Sequence, residues 1–249
     1  MKINGWDIAE IGAEQSEQWN VILGFHAVSN DSEWIRGSPA PILFKNKIGF
    51  KTLKVTILVR ANRDRQAILS QCSEILSRLQ EPAELELDDF EHKFYGILSK
   101  HTLEENPLNI LWVKYNRASK LILEFNVYEY ADVESVEASG KTEIAVNNPG
   151  NILTPAIIEI TPQVGVASIT LTGICRDPNT GEDLPVIINE MKSGKTVILD
   201  GETGLFTQDG ELKKDIEIWD VPTLLPGGNT ITVNNEWMDI AVRYRPRFM

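Results

Sequence analysis

Histidine, cysteine and dense positive charge are all scarce in this sequence, and each shortage removes a class of function. The two cysteines among 249 residues, Cys72 and Cys175, make no disulfide framework, and no C-x-x-C is present for zinc or redox work. Folding in a reducing cytosol is expected. The three histidines, His26, His92 and His101, stand at no metal-ligand spacing, and H-E-x-x-H is absent. Walker loops, G-x-G-x-x-G and the G-x-S-x-G elbow are missing too, so no catalytic residue, cofactor or metal is expected. No apolar run reaches the roughly 18 residues that a membrane span needs, and residues 1–7 lack the apolar core of a signal peptide. Lys and Arg number 24 against 36 Asp and Glu, for a net charge of -12. Without a basic face, binding to nucleic-acid phosphates is not expected, although an acidic surface suits a channel that DNA passes without sticking.

What is present is globular: 42% hydrophobic and 24% charged residues. At about 150 residues per domain, the length favours two. In the first part, residues 19–25 and 51–60 read as strands. Leu53, Val55, Ile57 and Val59 alternate with Lys54, Thr56 and Leu58, the period of a largely buried strand. Residues 30–40, polar and punctuated by Gly37 and Pro39, read as a long loop; Asn30-Asp31-Ser32 is a chance glycosylation sequon. One helix is predicted over 64–80, because Ile68, Leu69, Cys72, Ile75, Leu76 and Leu79 share a face. Asn62 or Asp64 can cap it and Pro82 stops it. Strands follow at 83–88, 93–100, 109–115 and 120–130.

Residues 131–140 are polar, with Asp132, Glu134, Glu137 and Gly140, and are the expected linker; the domains are then 1–135 and 136–249. Beyond it come nine short strand patterns at 142–146, 156–161, 168–174, 184–188, 195–200, 205–207, 215–218, 230–233 and 238–244. Turn signals such as Asn148-Pro149-Gly150 and Pro226-Gly227-Gly228-Asn229 separate them. Short, evenly spaced strands with no helix pattern indicate an antiparallel β-sandwich. The segment after Met238, with Arg243, Arg245 and Arg247, either finishes that sandwich or reaches back to the first domain.

Three groups of residues could carry chemistry. Glu86, Asp88, Asp89 and Glu91 cluster near a predicted turn, and a solvated turn explains them better than a glycosidase pair. In Asp177-Pro178-Asn179-Thr180-Gly181-Glu182-Asp183 the glycine falls one place early for a calcium loop, so a hairpin turn is favoured. Six tryptophans, Trp6, Trp19, Trp34, Trp112, Trp219 and Trp237, span both halves. Most such residues pack in cores or rims; Trp219 and Trp237, beside turn residues, are the candidates for contact with another subunit or a glycan.

The second half carries an ordered set of motifs. Asn148-Pro149-Gly150 leads to Thr154-Pro155-Ala156-Ile157-Ile158-Glu159-Ile160 and Ile169-Thr170-Leu171-Thr172-Gly173. Val197-Ile198-Leu199-Asp200-Gly201, Leu224-Leu225-Pro226-Gly227-Gly228-Asn229 and Ile240-Ala241-Val242-Arg243-Tyr244 follow. In the first half, Ser38-Pro39-Ala40-Pro41 and Asn62-Arg63-Asp64-Arg65 precede the long strand and the helix. In this order the chain resembles, over essentially its whole length, the distal tail proteins of long-tailed (siphovirus) bacteriophages and prophages.

The resemblance implies a mainly β, non-enzymatic virion structural protein: a homo-hexameric baseplate hub, assembled in the host cytoplasm. Its N-terminal ring-forming domain would be barrel- or sandwich-like with the one helix, and its C-terminal domain a galectin-like β-sandwich. Implied partners are further copies of itself, the tail tube protein, a tail-associated lysin or tip protein, and a receptor-binding protein. The family has no catalytic motif to carry over. The alternative is a carbohydrate-binding protein that recognises host cell-surface glycans through the C-terminal sandwich, with Trp219 and Trp237 as contacts. A cell-wall hydrolase has no motif in its favour.

Overall fold

The computed structural model describes residues 1–16, 21–25, 28–33, 42–60, 65–88, 90–104, 118–177 and 180–249; for 28–33, 42–48 and 118 only the backbone course is described. Two compact units divide the chain: Met1–Tyr130 with Met249, and Ala131–Phe248.

The first unit is an antiparallel sheet with one helix. Its order is Trp6–Asp7, Lys2–Ile3, Ala83–Glu86, Lys93–Glu104, Ala118–Tyr130, Lys51–Arg60, Ala13–Gln15, and Ile22–Leu23 also pairs with Lys51–Arg60. The alternation in Lys51–Arg60 does what its period predicts: Leu53, Val55, Ile57 and Val59 are all fully buried. Register places Leu121 opposite Ile57, Leu123 opposite Val55 and Phe125 opposite Leu53. Such cross-strand pairs contribute roughly 0.2–1 kcal/mol each beyond their burial.

The helix runs Arg65–Ser77, within the expected span, and Ile68, Cys72 and Ile75 bury into the same cluster as the strands. They are spaced by four and three residues, so they fall on one stripe. Leu79 is buried just beyond the helix, whereas Leu69 is exposed and is not part of the buried stripe. Asn62, Asp64 and the predicted strand at 109–115 lie outside the described residues.

The second unit is a sandwich of antiparallel sheets. One runs Glu134–Ser139, Met238–Tyr244, Thr154–Pro162, Val197–Asp200, Phe206–Gln208, Glu211–Leu212, with Thr223–Leu224 also pairing with Thr154–Pro162. The other runs Glu143–Asn148, Gly227–Val233, Val166–Arg176, Asp183–Met191, Ile216–Glu217. Both sheets send alternate residues into one core, among them Ile158, Ile160, Leu199 and Val242 from the first and Ile169, Leu171, Ile188 and Ile231 from the second. Each buried aliphatic side chain there is worth roughly 1.5–3 kcal/mol of transfer free energy.

Two expectations are corrected. The supposed linker at 131–140 contains the strand Glu134–Ser139, which pairs with Met238–Tyr244 from Glu134 opposite Tyr244 to Ser139 opposite Asp239. An edge strand with one neighbour needs little apolar surface, and only Val136 and Ala138 face the core, each partly buried. The supposed loop at 30–40 is also wrong at its start: Val28–Glu33 pairs with Ile42–Ile48. At 19–25, the described strand is confined to Ile22–Leu23.

Candidate interaction surfaces

Trp219 is 80% exposed and Trp237 54% exposed, so neither serves the core. They do not form one site. Ile216 lies opposite Ile188 and Glu217 opposite Ile187, and the Cys175 thiol donates to the Asp220 carbonyl at 3.1 Å. This places Trp219 at the end of the sandwich where Asp183–Met191 begins. Trp237 precedes Met238, which pairs with Pro162; its carbonyl accepts from the Gln163 amide, and Ser193 donates to the Gln163 carbonyl. That is the end where Asp183–Met191 finishes. The two indoles are separated by about six strand residues, roughly 20 Å. Trp6 is structural: its ring lies 4.0 Å beneath the Arg78 guanidinium and its Nε1 donates to Glu10. Trp19, Trp34 and Trp112 lie outside the described residues.

The Trp219 end is built by the motif residues. Asn148 is fully buried and its amide donates to the Thr154 hydroxyl at 3.1 Å and the Leu225 carbonyl at 3.2 Å, while its oxygen accepts from the Gly150 amide at 3.0 Å. Gly150 is required there, since a Cβ would meet the Arg247 carbonyl at 2.5 Å. Asn229 closes the next turn, accepting from the Leu225 amide and donating to the Leu225 and Gly227 carbonyls. Leu153 and Leu225 are exposed on the loops so held, and Leu205 on the turn closed by Asp200.

The Trp237 end carries a polar concavity of about 540 Å³. Its floor is Lys213, whose side chain is almost wholly buried and whose ammonium donates to the Glu190 carbonyl at 3.5 Å, Gln208 Oε1 at 3.1 Å and Asp215 Oδ2 at 3.1 Å. Three donors meet three acceptors, so this lysine is spent on holding three segments together.

The other candidates resolve into structural contacts. Glu86 pairs with Lys2 at 3.1 Å and Lys93 at 3.4 Å, and Asp88 with the Met1 ammonium at 2.7 Å; Asp89 is outside the described residues. The hydrogen bond from Lys2, followed by that from Lys93, holds the Glu86 carboxyl below its ordinary range despite partial burial. Around 177–183 the Asp177 amide donates to the Glu182 carbonyl and Arg176 pairs with Asp183 at 3.0 Å. That is a hairpin turn; Pro178 and Asn179 are outside the described residues. His92 and Lys51 share the Glu129 carboxylate, at 2.6 and 2.5 Å. His101 is exposed beside the helix, and His26 is outside the described residues. Both cysteines are buried and unpaired; burial pushes the Cys175 thiol up to about 11 and raises Cys72 as well. Among the described residues no group of three or more His, Cys, Asp or Glu gathers as metal ligands, and no helix is long and apolar enough to cross a membrane.

The first unit has one further surface that the sequence did not disclose. Ile22 pairs with Lys54 and Leu23 with Leu53; further out, Val28 pairs with Ile48 and Asp31 with Lys45. These four pairs of residue numbers each sum to 76, so the inner and outer pairings share a register as far as Asp31, beyond which it shifts by one residue. The outer pairing forms a separate two-stranded sheet. At the junction, Phe25 is 86% and Phe50 63% exposed, with Ile22 exposed beside them.

No protein-family model and no curated protein matches the chain. Solved structures do. The phage p2 baseplate in its activated conformation, with calcium, aligns over 98% of this chain and 94% of that one, at 9% identity and a TM-score of 0.47. The crystal structure of SPP1 Dit (gp 19.1), described as a paradigm of the hub adsorption apparatus in phages infecting Gram-positive bacteria, aligns over 99% of this chain and 98% of its own. Identity there is 11% and the TM-score 0.73. Both units in their order take part in that match, and the chain has the fold of the SPP1 Dit protein.

Proposed function

We propose that this chain is a distal tail protein: a non-enzymatic hub of a long-tailed phage or prophage tail, joining the tail tube to the tip or baseplate and to receptor-binding components. The observation that carries this is the end-to-end correspondence with SPP1 Dit, in which neither chain leaves a domain unmatched. In this reading the first unit forms a hexameric ring by head-to-tail contacts, and the second is a galectin-like sandwich that presents its loops to other tail proteins. The net charge of -12 suits a lumen that DNA traverses. The virion tail is then its final location. Negative-stain microscopy of the purified full chain, alone and mixed with the tail tube protein of the same phage, tests it. Six-fold rings are expected; a chain that stays dispersed in both samples refutes it.

A second reading, glycan recognition by the second unit, is supported by the exposure of Trp219 and Trp237. Because they sit at opposite ends of the sandwich, they are two separate contacts. Glycan-array binding should then fall on either Trp219→Ala or Trp237→Ala alone, with the other site retained. An array without a saturable ligand rules this reading out.

A further inference from the structure

Trp237 and Asp239 flank Met238, the first residue of the strand Met238–Tyr244. Met238 is fully buried and both its neighbours are exposed, so the two-residue period of the strand turns Trp237 and Asp239 away from the core. The register sets Ser139 opposite Asp239 on one side and Thr161 opposite it on the other. Gln163 lies across from Trp237, its amide bonded to the Trp237 carbonyl. The Ser139 hydroxyl and the Gln163 side-chain amide both donate to Asp239 Oδ1, the latter at 3.0 Å. These two bonds hold the Asp239 carboxyl below its ordinary range and keep it ionised at neutral pH. Asp239 Oδ2 and Gln163 Oε1 accept no hydrogen bond among the described residues. An exposed indole thus stands beside two acceptors that are already fixed in place.

The two tryptophan ends differ in what surrounds them. At the Trp219 end Leu153, Leu205 and Leu225 are exposed, apolar surface of the kind another protein covers. At the Trp237 end the exposed side chains include Ser139, Gln163, Ser193 and Asp239, with Val164 among them. One indole supplies about 150–250 Å², well short of the roughly 800 Å² per partner of a specific protein interface. It does match the C–H face of one pyranose ring, whose hydroxyls are the donors that fixed acceptors need. Two strands over, the Gly194 amide donates to the Pro162 carbonyl and the Asp209 amide to the Thr196 carbonyl, and the same end opens into the concavity of about 540 Å³. Its four lysines and four carboxylates cancel, so no net charge selects an ion. Hydroxyls, which donate and accept at once, suit such a lining. Two strand separations come to ~10 Å, which calls for more than one sugar ring.

We propose that this end of the second unit binds an uncharged oligosaccharide. Trp237 stacks on one pyranose, Asp239 and Gln163 take hydrogen bonds from its hydroxyls, and the concavity beside Lys195 and Asp209 receives the neighbouring rings. The site rests on the glycan reading of the second unit and narrows it to one of the two tryptophans.

The test screens the full chain on an array of glucose, galactose, rhamnose and N-acetylglucosamine oligosaccharides, each unsubstituted and phosphorylated, and titrates the best binder by calorimetry. Trp237→Ala and Asp239→Ala should each weaken binding about tenfold or more, the loss typical of an anchor residue, and Trp219→Ala should leave it unchanged. All three side chains are exposed, so the melting curve should not move. Binding that survives Trp237→Ala, or that is lost on Trp219→Ala instead, overturns this site and leaves the glycan reading standing. A preference for the phosphorylated forms overturns the uncharged class. An array with no saturable ligand overturns the site and the glycan reading together. A Trp237-dependent complex with the tail tube protein of the same phage, in the absence of any bound glycan, makes the indole a protein contact instead.

Discussion

Asn148 gives a sharp measure of whether the turn motifs act as structural instructions. Replacing it with alanine removes three hydrogen bonds from a site with no solvent access. The partners do not suffer equally. The Leu225 carbonyl still accepts from Asn229 at 2.8 Å, and the Thr154 hydroxyl still donates to the Ile152 carbonyl and accepts from the Arg247 amide. Only the buried Gly150 amide is stranded. An unsatisfied buried donor costs about 1–3 kcal/mol, and each bond lost between satisfied partners about 0.5–1.5 kcal/mol. The expected loss is therefore about 3 kcal/mol, a large fraction of a domain's total stability. Urea unfolding, with hydrogen exchange read over Thr154–Pro162, should show a lower midpoint and an unchanged slope. Asn148→Asp should be no better, because it keeps an acceptor for Gly150 but sets a buried carboxylate against the Leu225 carbonyl. A loss below about 1 kcal/mol for the alanine variant would refute this accounting.

Three further outcomes are expected. Lys213→Met should cost about 2 kcal/mol in urea unfolding, since it deletes an ammonium that bridges three segments while Asp215 can still reach water. With burial holding the Cys175 thiol near 11 and raising Cys72, neither should react with Ellman's reagent at pH 8 until denaturant is added; reaction in the native protein counts against the packing described. The Glu86 carboxyl is held below its ordinary range by Lys2 and then Lys93, so its contribution is present above about pH 4.5 and is lost as pH falls through the lowered folded value. The stability difference between the native chain and Glu86→Gln should accordingly shrink as pH falls from 5 towards 3, and a difference that grows would reverse the sign.

Local structure was legible where one physical signal dominated. Period-two burial located Lys51–Arg60 and most strands of the second unit, because one face of each is dry. It failed at Glu134–Ser139, whose composition is that of a linker because an edge strand is wet on most sides. It also missed Lys2–Ile3 with Trp6–Asp7, although Asn4-Gly5 joins them: both turn residues take positive φ, 49° and 77°, as a two-residue hairpin requires. What no local signal could give is placement. Trp219 and Trp237 are alike in sequence context, each next to a turn, and only the strand register shows them at opposite ends. The pairing of Val28–Glu33 with Ile42–Ile48 likewise becomes visible only in the strand register.

The buried polar groups point to where this molecule acts. Lys213 has all three donors engaged, and Lys51 and His92 share the Glu129 carboxylate. Tyr244 donates to Glu134 and to the Asn147 carbonyl, and burial followed by the Glu134 carboxylate raises its phenol well above the ordinary range. The buried polar side-chain atoms without a partner, among the described residues, are Gln71 Oε1, Arg176 Nη1 and Gln208 Nε2, amide and guanidinium atoms that neither attack a substrate nor carry a proton at neutral pH. Chemistry at a site needs ionisable groups with capacity left over, and in these clusters that capacity goes into holding segments in place. Among the described residues the apolar and main-chain features left over are Phe25, Phe50, Trp219 and Trp237 in solvent, and a strand edge without a neighbour over 97–104. Such features gain free energy chiefly when another surface covers them. Substitution at Phe25, Phe50 or either tryptophan should therefore leave the urea midpoint unchanged and register in association, because all four side chains are exposed.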